Sequence, residues 1–415
     1  MQDWKKYRIG DICSKVCSGG TPSSKHTEYY DGDIPWLNTK EINFNRIYGT
    51  EKSISEEGLN NSSAKWIEEN SVIVAMYGAT AGKTAIAKIP ITTNQACCNL
   101  TINPSVADYR FVYYFLCLKY VELASLANGG AQQNLNAQII KDFEIPIPSL
   151  QEQNQIANVL SSLDDKIAIN KQINDNLEQQ AQALFKSWFV DFEPFRDQPF
   201  VESELGMIPH EWRILSLNDM TCKFGTGLNP RKNFKLGEGS NYYVTIKNMG
   251  DNRIYLDDKC DKVTDEAIEK INKRSKLQKG DLLFSGIGTI GRVAMITETP
   301  NNWNTSESVF NMHPKANFSS EFLYVLLLSN LFQSYVRIHA QGGVQQGIRM
   351  ASLKSFQIAL PEKSVLQEFE KLVIPIISTI RDKDKEVDRL STLRDTLLPR
   401  LMSGELKVNE IENVI

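Results

Sequence analysis

An internal repeat restricts the possible folds of this chain more than any other feature, because two copies of one sequence adopt one topology. The segment WKKYRIGDICSKVCSGGTP from Trp4 aligns without gaps with WRILSLNDMTCKFGTGLNP from Trp212. Further along, GGAQQNLNAQIIKDFEIPIPS from Gly129 aligns with GGVQQGIRMASLKSFQIALPE from Gly342. The offset between the copies changes slowly, so only short insertions separate them. The chain therefore contains two tandem copies of one structural unit.

Each copy ends in the pattern of a long helix. Ser149 with Glu152, and Ser364 with Gln367, fit the capping box that satisfies free backbone N–H groups at a helix start. After each cap, mostly apolar residues recur in alternating steps of three and four, which is the period of a coiled-coil seam. Pro375 should kink the second helix or delay its start. The first seam consists of Ile156, Leu160, Leu163, Ile167, Asn170, Asn174, Leu177, Ala181, Leu184 and Trp188. The second consists of Leu366, Phe369, Val373, Ile376, Ile380, Lys383, Val387, Leu390, Arg394, Leu397 and Leu401.

These patterns predict an α+β protein with two similar mixed α/β domains separated by two long helices. The simplest partner for each seam is the other helix, paired as an antiparallel coiled coil with approximate twofold symmetry. The alternative is two unrelated amphipathic helices, each packing on its own domain. The predicted boundaries are a first domain at 1–150, a helix at 151–190, a linker at 191–205, a second domain at 206–363, a helix at 364–405 and a tail at 406–415.

A glycine-rich loop in each copy raises the question of nucleotide binding. YGATAGKTAI, from Tyr77 to Ile86, has one residue too few between its glycines for a phosphate loop, and the residues after it favour a strand over the required helix. The second copy, SGIGTIGRVAM, has the right spacing but Arg292 in place of the lysine. The copies share Thr-x-Gly-Lys/Arg, with Thr80 and Lys83 in the first and Thr289 and Arg292 in the second. Either this is a surface hairpin turn, or its tip contacts a phosphate or a base edge.

Two related but diverged domains held at a fixed separation suit a rigid ligand that has two separate recognition sites. DNA half-sites about one helical turn apart are such sites. Because the loops differ between copies, the half-sites should differ too. Gln and Asn bond adenine edges, Arg and Lys bond guanine, and Ser/Thr hold phosphates. Amide-rich loops that are simply solvated turns remain the alternative. The candidate DNA-binding residues are Lys40, Thr80, Lys83, Gln132, Gln133, Asn134, Lys247, Thr289, Arg292, Gln345, Gln346 and Arg349.

The composition is compatible with this function. The net charge is −4, but residues 206–363 contain 20 Lys and Arg against 15 Asp and Glu, so a local basic face can coexist with an acidic total. Seven cysteines and no export signal indicate reduced thiols in a cytoplasmic protein. Cysteine pairs and four histidines do not form a zinc pattern, so no metal site is expected. No apolar run is long enough to cross a membrane.

Several segments together resemble the specificity subunit of Type I restriction-modification systems. They are LFKSWFVDFEPF after the first helix, LRDTLLPRLMSGEL at the end of the second, and GMIPHEW at the entry to the second domain. The resemblance covers essentially the whole chain and implies a non-catalytic subunit whose two target recognition domains each bind half of an interrupted double-stranded DNA site. It also implies that the helices dock two methyltransferase subunits, joined by restriction/translocase subunits. No cofactor is expected in this chain, while S-adenosylmethionine, ATP and Mg are expected in the partners.

Two other classes of function would require different features in the sequence. A DNA methyltransferase or nuclease acting by itself would need catalytic motifs, but the chain contains no Pro-Pro pair for an adenine-binding tetrapeptide. We also find no convincing pattern for metal-dependent cleavage. A pure scaffold would bind protein at its globular ends and would lack salt-dependent DNA binding.

Overall fold

The structure is a computed structural model that describes residues 4–127, 134–342 and 346–413. Contacts divide the chain into a first unit, Met1–Ile169 with Glu386–Ile415, and a second unit, Asn170–Lys385. The two long helices therefore each contribute one half to each unit.

The helices are α1 Glu56–Asn60, α2 Tyr109–Leu118, α3 Tyr120–Ser125, α4 Ala137–Asp142, α5 Leu150–Phe189, α6 Leu217–Met220, α7 Asp265–Ser275, α8 Ser320–Leu328, α9 Asn330–His339, α10 Met350–Lys354 and α11 Lys363–Met402.

The strands of the first unit are β1 Lys5–Arg8, β2 Cys13–Ser18, β3 Ile34–Leu37, β4 Asn45–Ile47, β5 Ser53–Ile54, β6 Trp66–Ile67, β7 Val72–Ala75, β8 Thr84–Ala87, β9 Ile91–Thr93, β10 Cys97–Ile102 and β11 Glu144–Ile147. Those of the second unit are β12 Phe200–Ser203, β13 Gly206–Pro209, β14 Arg213–Ser216, β15 Thr221–Thr226, β16 Asn241–Val244, β17 Met249–Gly250, β18 Arg253–Ile254, β19 Asp261–Val263, β20 Leu282–Ser285, β21 Val293–Met295, β22 Trp303–Thr305, β23 Val309–Pro314 and β24 Gln357–Leu360.

The sheets of the two units share a topology, except that each of the two larger sheets of the first unit has one extra edge strand among the described residues. The main sheet has the order β2-β10-β7-β8-β4 in the first unit and β15-β23-β20-β21 in the second. A second sheet is built around a parallel pair in each unit, β3 with β9 and β16 with β22. The first and last strands of each domain also pair, β1 with β11 and β14 with β24. The predicted internal repeat is confirmed at the level of topology.

Glycines repeated between the copies explain part of the sequence similarity. A Cβ atom on Gly19 would lie 2.0 Å from the Thr93 carbonyl oxygen, and one on Gly227 would lie 1.6 Å from that of Thr305. Only a glycine allows the chain leaving the second strand of the domain to approach the neighbouring backbone this closely. The identity is thus required by packing and says nothing about a ligand.

The long helices pair antiparallel within each unit. In the first unit, Ile167 of α5 packs with Val387 and Leu390 of α11, and the Arg394 guanidinium donates to Asp164 Oδ1 at 2.8 Å. In the second unit, the rings of Phe189 and Phe369 lie 4.8 Å apart between centroids. The early part of α5 meets the late part of α11 in the first unit, and the reverse holds in the second. The coiled-coil prediction is confirmed, and the alternative of unrelated helices is wrong.

Two details of the predicted helices differ from the structure. The Ser149 hydroxyl accepts a hydrogen bond from the Glu152 N–H at 3.3 Å, as a cap should. Ser364, however, lies inside α11, which begins at Lys363, and its hydroxyl donates to the Glu362 carboxylate. Pro375 does not delay the start of α11, because the helix runs from Lys363 through it. A proline in the fourth turn removes one N–H donor, and the apolar packing of the helix outweighs that loss.

The three segments that resemble the Type I specificity subunit contribute to the hydrophobic cores. In the second unit, Phe189 and Phe195 of the first such segment pack with Trp212, at ring-centroid distances of 5.8 and 5.0 Å. In the first unit, Leu401 and Leu406 of the closing segment are buried with the domain core. These segments anchor each domain to its helices, which explains why they are recognisable while the loops are not.

The polar residues within the first seam give a stability prediction. Asn170 is 0% exposed, and neither its Oδ1 nor its Nδ2 has a hydrogen-bond partner among the described residues. Replacing it by leucine removes two buried unsatisfied polar atoms, so Asn170→Leu should raise the free energy of unfolding by about 1–3 kcal/mol. Urea unfolding measures this change.

The matched control for this substitution is Asn174→Leu. The Asn174 amide donates to the Ile380 carbonyl at 3.3 Å and to Asp384 Oδ1 at 2.9 Å, so its loss should destabilise the protein. A destabilised Asn170→Leu variant would contradict the expectation, since it would mean that the Asn170 amide is bonded in solution.

Candidate nucleic-acid interface

The Thr-x-Gly-Lys/Arg motif forms a hairpin loop in both copies. It connects β7 to β8 in the first unit and β20 to β21 in the second, and both strand pairs are antiparallel. Gly82 and Gly291 have φ of +85° and +96°, a conformation that favours glycine. Strand β8 begins at Thr84, directly after the lysine, so the helix that a phosphate loop requires is replaced by a strand. The exclusion of a nucleotide-binding loop is confirmed.

The cation of this loop contacts its own domain. Lys83 Nζ donates to Asn43 Oδ1 at 2.8 Å, and the Arg292 guanidinium donates to the carbonyls of Ile246, at 3.0 Å, and Met249. Both cations are half-buried. Their side chains therefore tie the hairpin loop to the segment that follows β3 or β16, in addition to any contact with a ligand.

The segment after β3 or β16 carries the predicted Lys40 and Lys247. Each lysine lies in a short 3-10 turn directly after the strand, and each is exposed. Lys40 forms an ion pair with Glu51, and this hydrogen bond raises the pKa of the Lys40 ammonium. Both lysines are thus placed where a ligand could reach them.

The described residues of the amide-rich loops, Asn134 and Gln346, lie at the same place. Gln132, Gln133 and Gln345 lie outside the described residues. Asn134 is exposed and forms an antiparallel bridge with Tyr77. In the second unit, the Gln346 carbonyl accepts from Gly288 N–H at 2.8 Å.

Arg349, which follows the second amide-rich loop, is also exposed. Its neighbour Ile348 donates its backbone N–H to the Gly286 carbonyl at 2.9 Å, next to the hairpin loop. Residues more than 50 positions apart in sequence therefore meet beside the hairpin loop in each unit.

A further segment, which the sequence reasoning missed, joins these loops. Residues 94–96 and 306–308 connect β9 to β10 and β22 to β23. Met76 N–H donates to the Ala96 carbonyl at 2.7 Å, and Gly286 N–H donates to that of Ser308 at 2.9 Å. At the centre of each segment stands a polar side chain, Gln95 or Glu307. The only signal in the sequence was a polar residue in a short loop, which most solvated turns also show.

The two central residues have equivalent partners. The Thr21 hydroxyl donates to Gln95 Oε1, and Asn229 Nδ2 donates to Glu307 Oε1 at 2.5 Å. Thr21 and Asn229 occupy equivalent positions in the gapless alignment of the copies.

We name the two resulting surfaces by their side chains. The first loop face consists of Lys40, Thr80, Lys83, Gln95 and Asn134. The second loop face consists of Lys247, Thr289, Arg292, Glu307, Gln346 and Arg349.

Each loop face is also connected to the long helices of its unit through an arginine. Arg46 forms an ion pair with Asp165 of α5, and Arg253 Nη1 lies 3.4 Å from Asp384 Oδ1 of α11. Asn252 adds a bond to Glu178 at 3.0 Å, where burial raises the pKa of the Glu178 carboxyl. The arginines follow the segments that carry Lys40 and Lys247 in sequence, so the helices orient these segments.

Within the described ranges, no group of three or more His, Cys, Asp and Glu side chains is arranged to hold a metal ion. The helices in the same ranges include none with the length and apolar character needed to span a membrane.

The fold and the duplicated loop face define a class of protein with two similar binding domains on paired helices. The sequence model of the Type I restriction modification DNA specificity domain matches residues 1–179 and, again, residues 209–395. The chain belongs to this family.

Known relatives agree with this assignment. The specificity subunit of the Type I restriction enzyme MjaIX of Methanocaldococcus jannaschii is 30% identical over 99% of this chain and 95% of its own length. The HindI specificity subunit of Haemophilus influenzae is 24% identical over 98% of this chain and 100% of its own. The crystal structure of a Type I system S subunit from M. genitalium has a TM-score of 0.57 at 18% identity, covering 96% of each chain, and shares the fold.

Proposed function

We propose that this chain recognises the DNA target of a Type I restriction-modification complex, with each domain binding one half of a bipartite site. The observation that carries the proposal is the duplicated loop face with different side chains. Lys83 and Gln95 stand in the first where Arg292 and Glu307 stand in the second. Equivalent backbones with different side chains suit half-sites of different sequence, so the target is asymmetric.

The proposal assigns the remaining roles to partners. Residues 1–150 and 206–363 serve as the recognition domains, and the helices dock two methyltransferase subunits, which restriction/translocase subunits join. The chain is non-catalytic and binds no cofactor of its own, and S-adenosylmethionine, ATP and Mg belong to the partner subunits. It acts in the cytoplasm, where the DNA is. Stoichiometric uptake of S-adenosylmethionine by the purified chain would contradict this division of roles.

Salt dependence of DNA binding tests the proposal. The complex with its methyltransferase subunits should bind target duplex with an affinity that falls linearly with salt on logarithmic axes, because phosphate contacts release counterions. With six to ten contacts the loss is about 10³- to 10⁵-fold between 50 and 200 mM salt. Fluorescence anisotropy with labelled duplex measures it, and a duplex of unrelated sequence is the control. Equal affinity for both duplexes would contradict sequence-specific DNA binding.

A further inference from the structure

A cavity of about 280 Å³ opens in the second unit beside the second loop face. Its lining includes Tyr243, Lys247, Ser306 and Glu307. The Ser306 side chain is 4% exposed, and its Oγ has no hydrogen-bond partner among the described residues. The wall of this cavity is therefore polar, with a carboxylate, an ammonium and a buried hydroxyl among its side chains.

Glu307 is held firmly in the wall of this cavity. Asn229 Nδ2 donates to Oε1 at 2.5 Å, and the Tyr243 hydroxyl lies 3.3 Å from Oε2. Burial, together with the nearby Glu307 charge, raises the pKa of Tyr243, so its hydroxyl stays neutral, and it donates its one proton to the Leu228 carbonyl at 2.7 Å. Two carboxylate oxygens offer about four acceptor positions, so these contacts orient the group and leave acceptor capacity for a ligand.

The chemistry of an ionised carboxylate selects its partner in the DNA major groove. A carboxylate only accepts hydrogen bonds, and the cytosine N4 amine is a donor with no acceptor beside it on that edge. Adenine presents the N7 acceptor next to its amine, and guanine presents two acceptors, so both bases match a carboxylate less well than cytosine does. Lys247, which lines the same cavity, is a donor that matches the O6 and N7 acceptors of guanine.

We infer that Glu307, together with Lys247, recognises a C·G base pair in the half-site bound by the second domain. This inference rests on the proposed function and adds the residue that determines one base. In the first domain the equivalent position is Gln95, which both donates and accepts and therefore matches adenine N6 and N7. The two half-sites accordingly differ at this position, with C in the second and A in the first.

Glu307→Gln in the intact complex with its methyltransferase subunits tests the inference. The amide matches adenine, so the variant should lose at least tenfold in affinity for a site with C at one position of the second half-site. It should gain preference for A there, and the first half-site should stay unchanged. Selection from a duplex library randomised in both half-sites measures the preference, and unchanged selection at the first half-site shows that the variant is folded. Glu298→Gln, the same change at an exposed residue of the second unit, is the control and should select the wild-type sequence.

The reciprocal variant Gln95→Glu should shift one position of the first half-site from A to C. If Glu307→Gln instead weakens binding to all sequences equally, Glu307 only anchors its loop and the inference is overturned. An unchanged motif in both half-sites overturns it too, while a bipartite motif selected by the wild-type complex still supports the proposed function. If the wild-type complex selects no motif at all, the proposed function fails and the inference fails with it.

Discussion

Inserting one heptad into both α5 and α11 should abolish methylation of the wild-type target and create activity on a site whose spacer is longer by about three base pairs. Seven residues add about 10.5 Å of helix, and each base pair adds about 3.4 Å. The half-site sequences should stay the same, because the loop faces are untouched. Three base pairs also rotate the DNA by roughly 100°, so we expect weaker binding to the new site than the wild type shows for its own.

The insertion points are the positions at which the helices pass from one unit to the other, after Ile169 in α5 and after Lys385 in α11. A whole heptad keeps the apolar seam in register. The methylated motif of a host that carries the variant complex gives the spacer directly. As a control, a heptad in α11 alone breaks the register and should abolish activity on every spacer. An unaltered spacer in the double insertion would show that the helices do not set the distance between half-sites.

Phe189→Ala should produce the largest loss of stability of any single substitution considered. Phe189 is 3% exposed, and its ring lies 4.8 Å from Phe369, 5.5 Å from Phe322 and 5.8 Å from Trp212, measured between centroids. Removing it leaves a cavity where α5, α11 and the second domain meet, at a cost of about 3–5 kcal/mol. The loss should be confined to the second unit, to which all these residues belong.

Hydrogen exchange resolved by peptide measures where stability is lost. Amides of β20 and β23 should lose protection in Phe189→Ala, while those of β7 and β10 keep it, because local opening follows local packing. Val190→Ala is the matched control, since Val190 is 38% exposed and its truncation should change protection little. Equal loss of protection in both units would mean that the second unit does not unfold by itself.

The long helices and the repeat could be predicted from sequence because both leave periodic signals. The predicted helices at 151–190 and 364–405 lie within three residues of α5 and α11. The start of α11 was misplaced because Ser364 resembles a cap, and local capping patterns fix helix ends only to within one or two residues. Pro375 does not end or delay α11, since seam packing stabilises the helix despite the missing donor.

The candidate site could be predicted only in pieces. Thr80 and Lys83 belong to a repeated motif and Asn134 to a repeated amide-rich loop, but no local pattern shows that Asn134 pairs with Tyr77. Such pairings join segments far apart in sequence, and they depend on how the whole sheet folds. The hydrogen bond from Lys83 to Asn43 could not be predicted from the sequence for the same reason. Glu307 was missed because a single polar residue in a short loop carries no periodic or spacing signal.

The central claim is that two copies of one fold each recognise their own half of the target. The most direct measurement is the methylated motif in hosts that carry the complex with Gln132→Ala/Gln133→Ala or with Gln345→Ala/Gln346→Ala. We expect a bipartite motif in the wild type, relaxation of one half only in the first variant, and relaxation of the other half only in the second. Relaxation of both halves by either variant would contradict the claim.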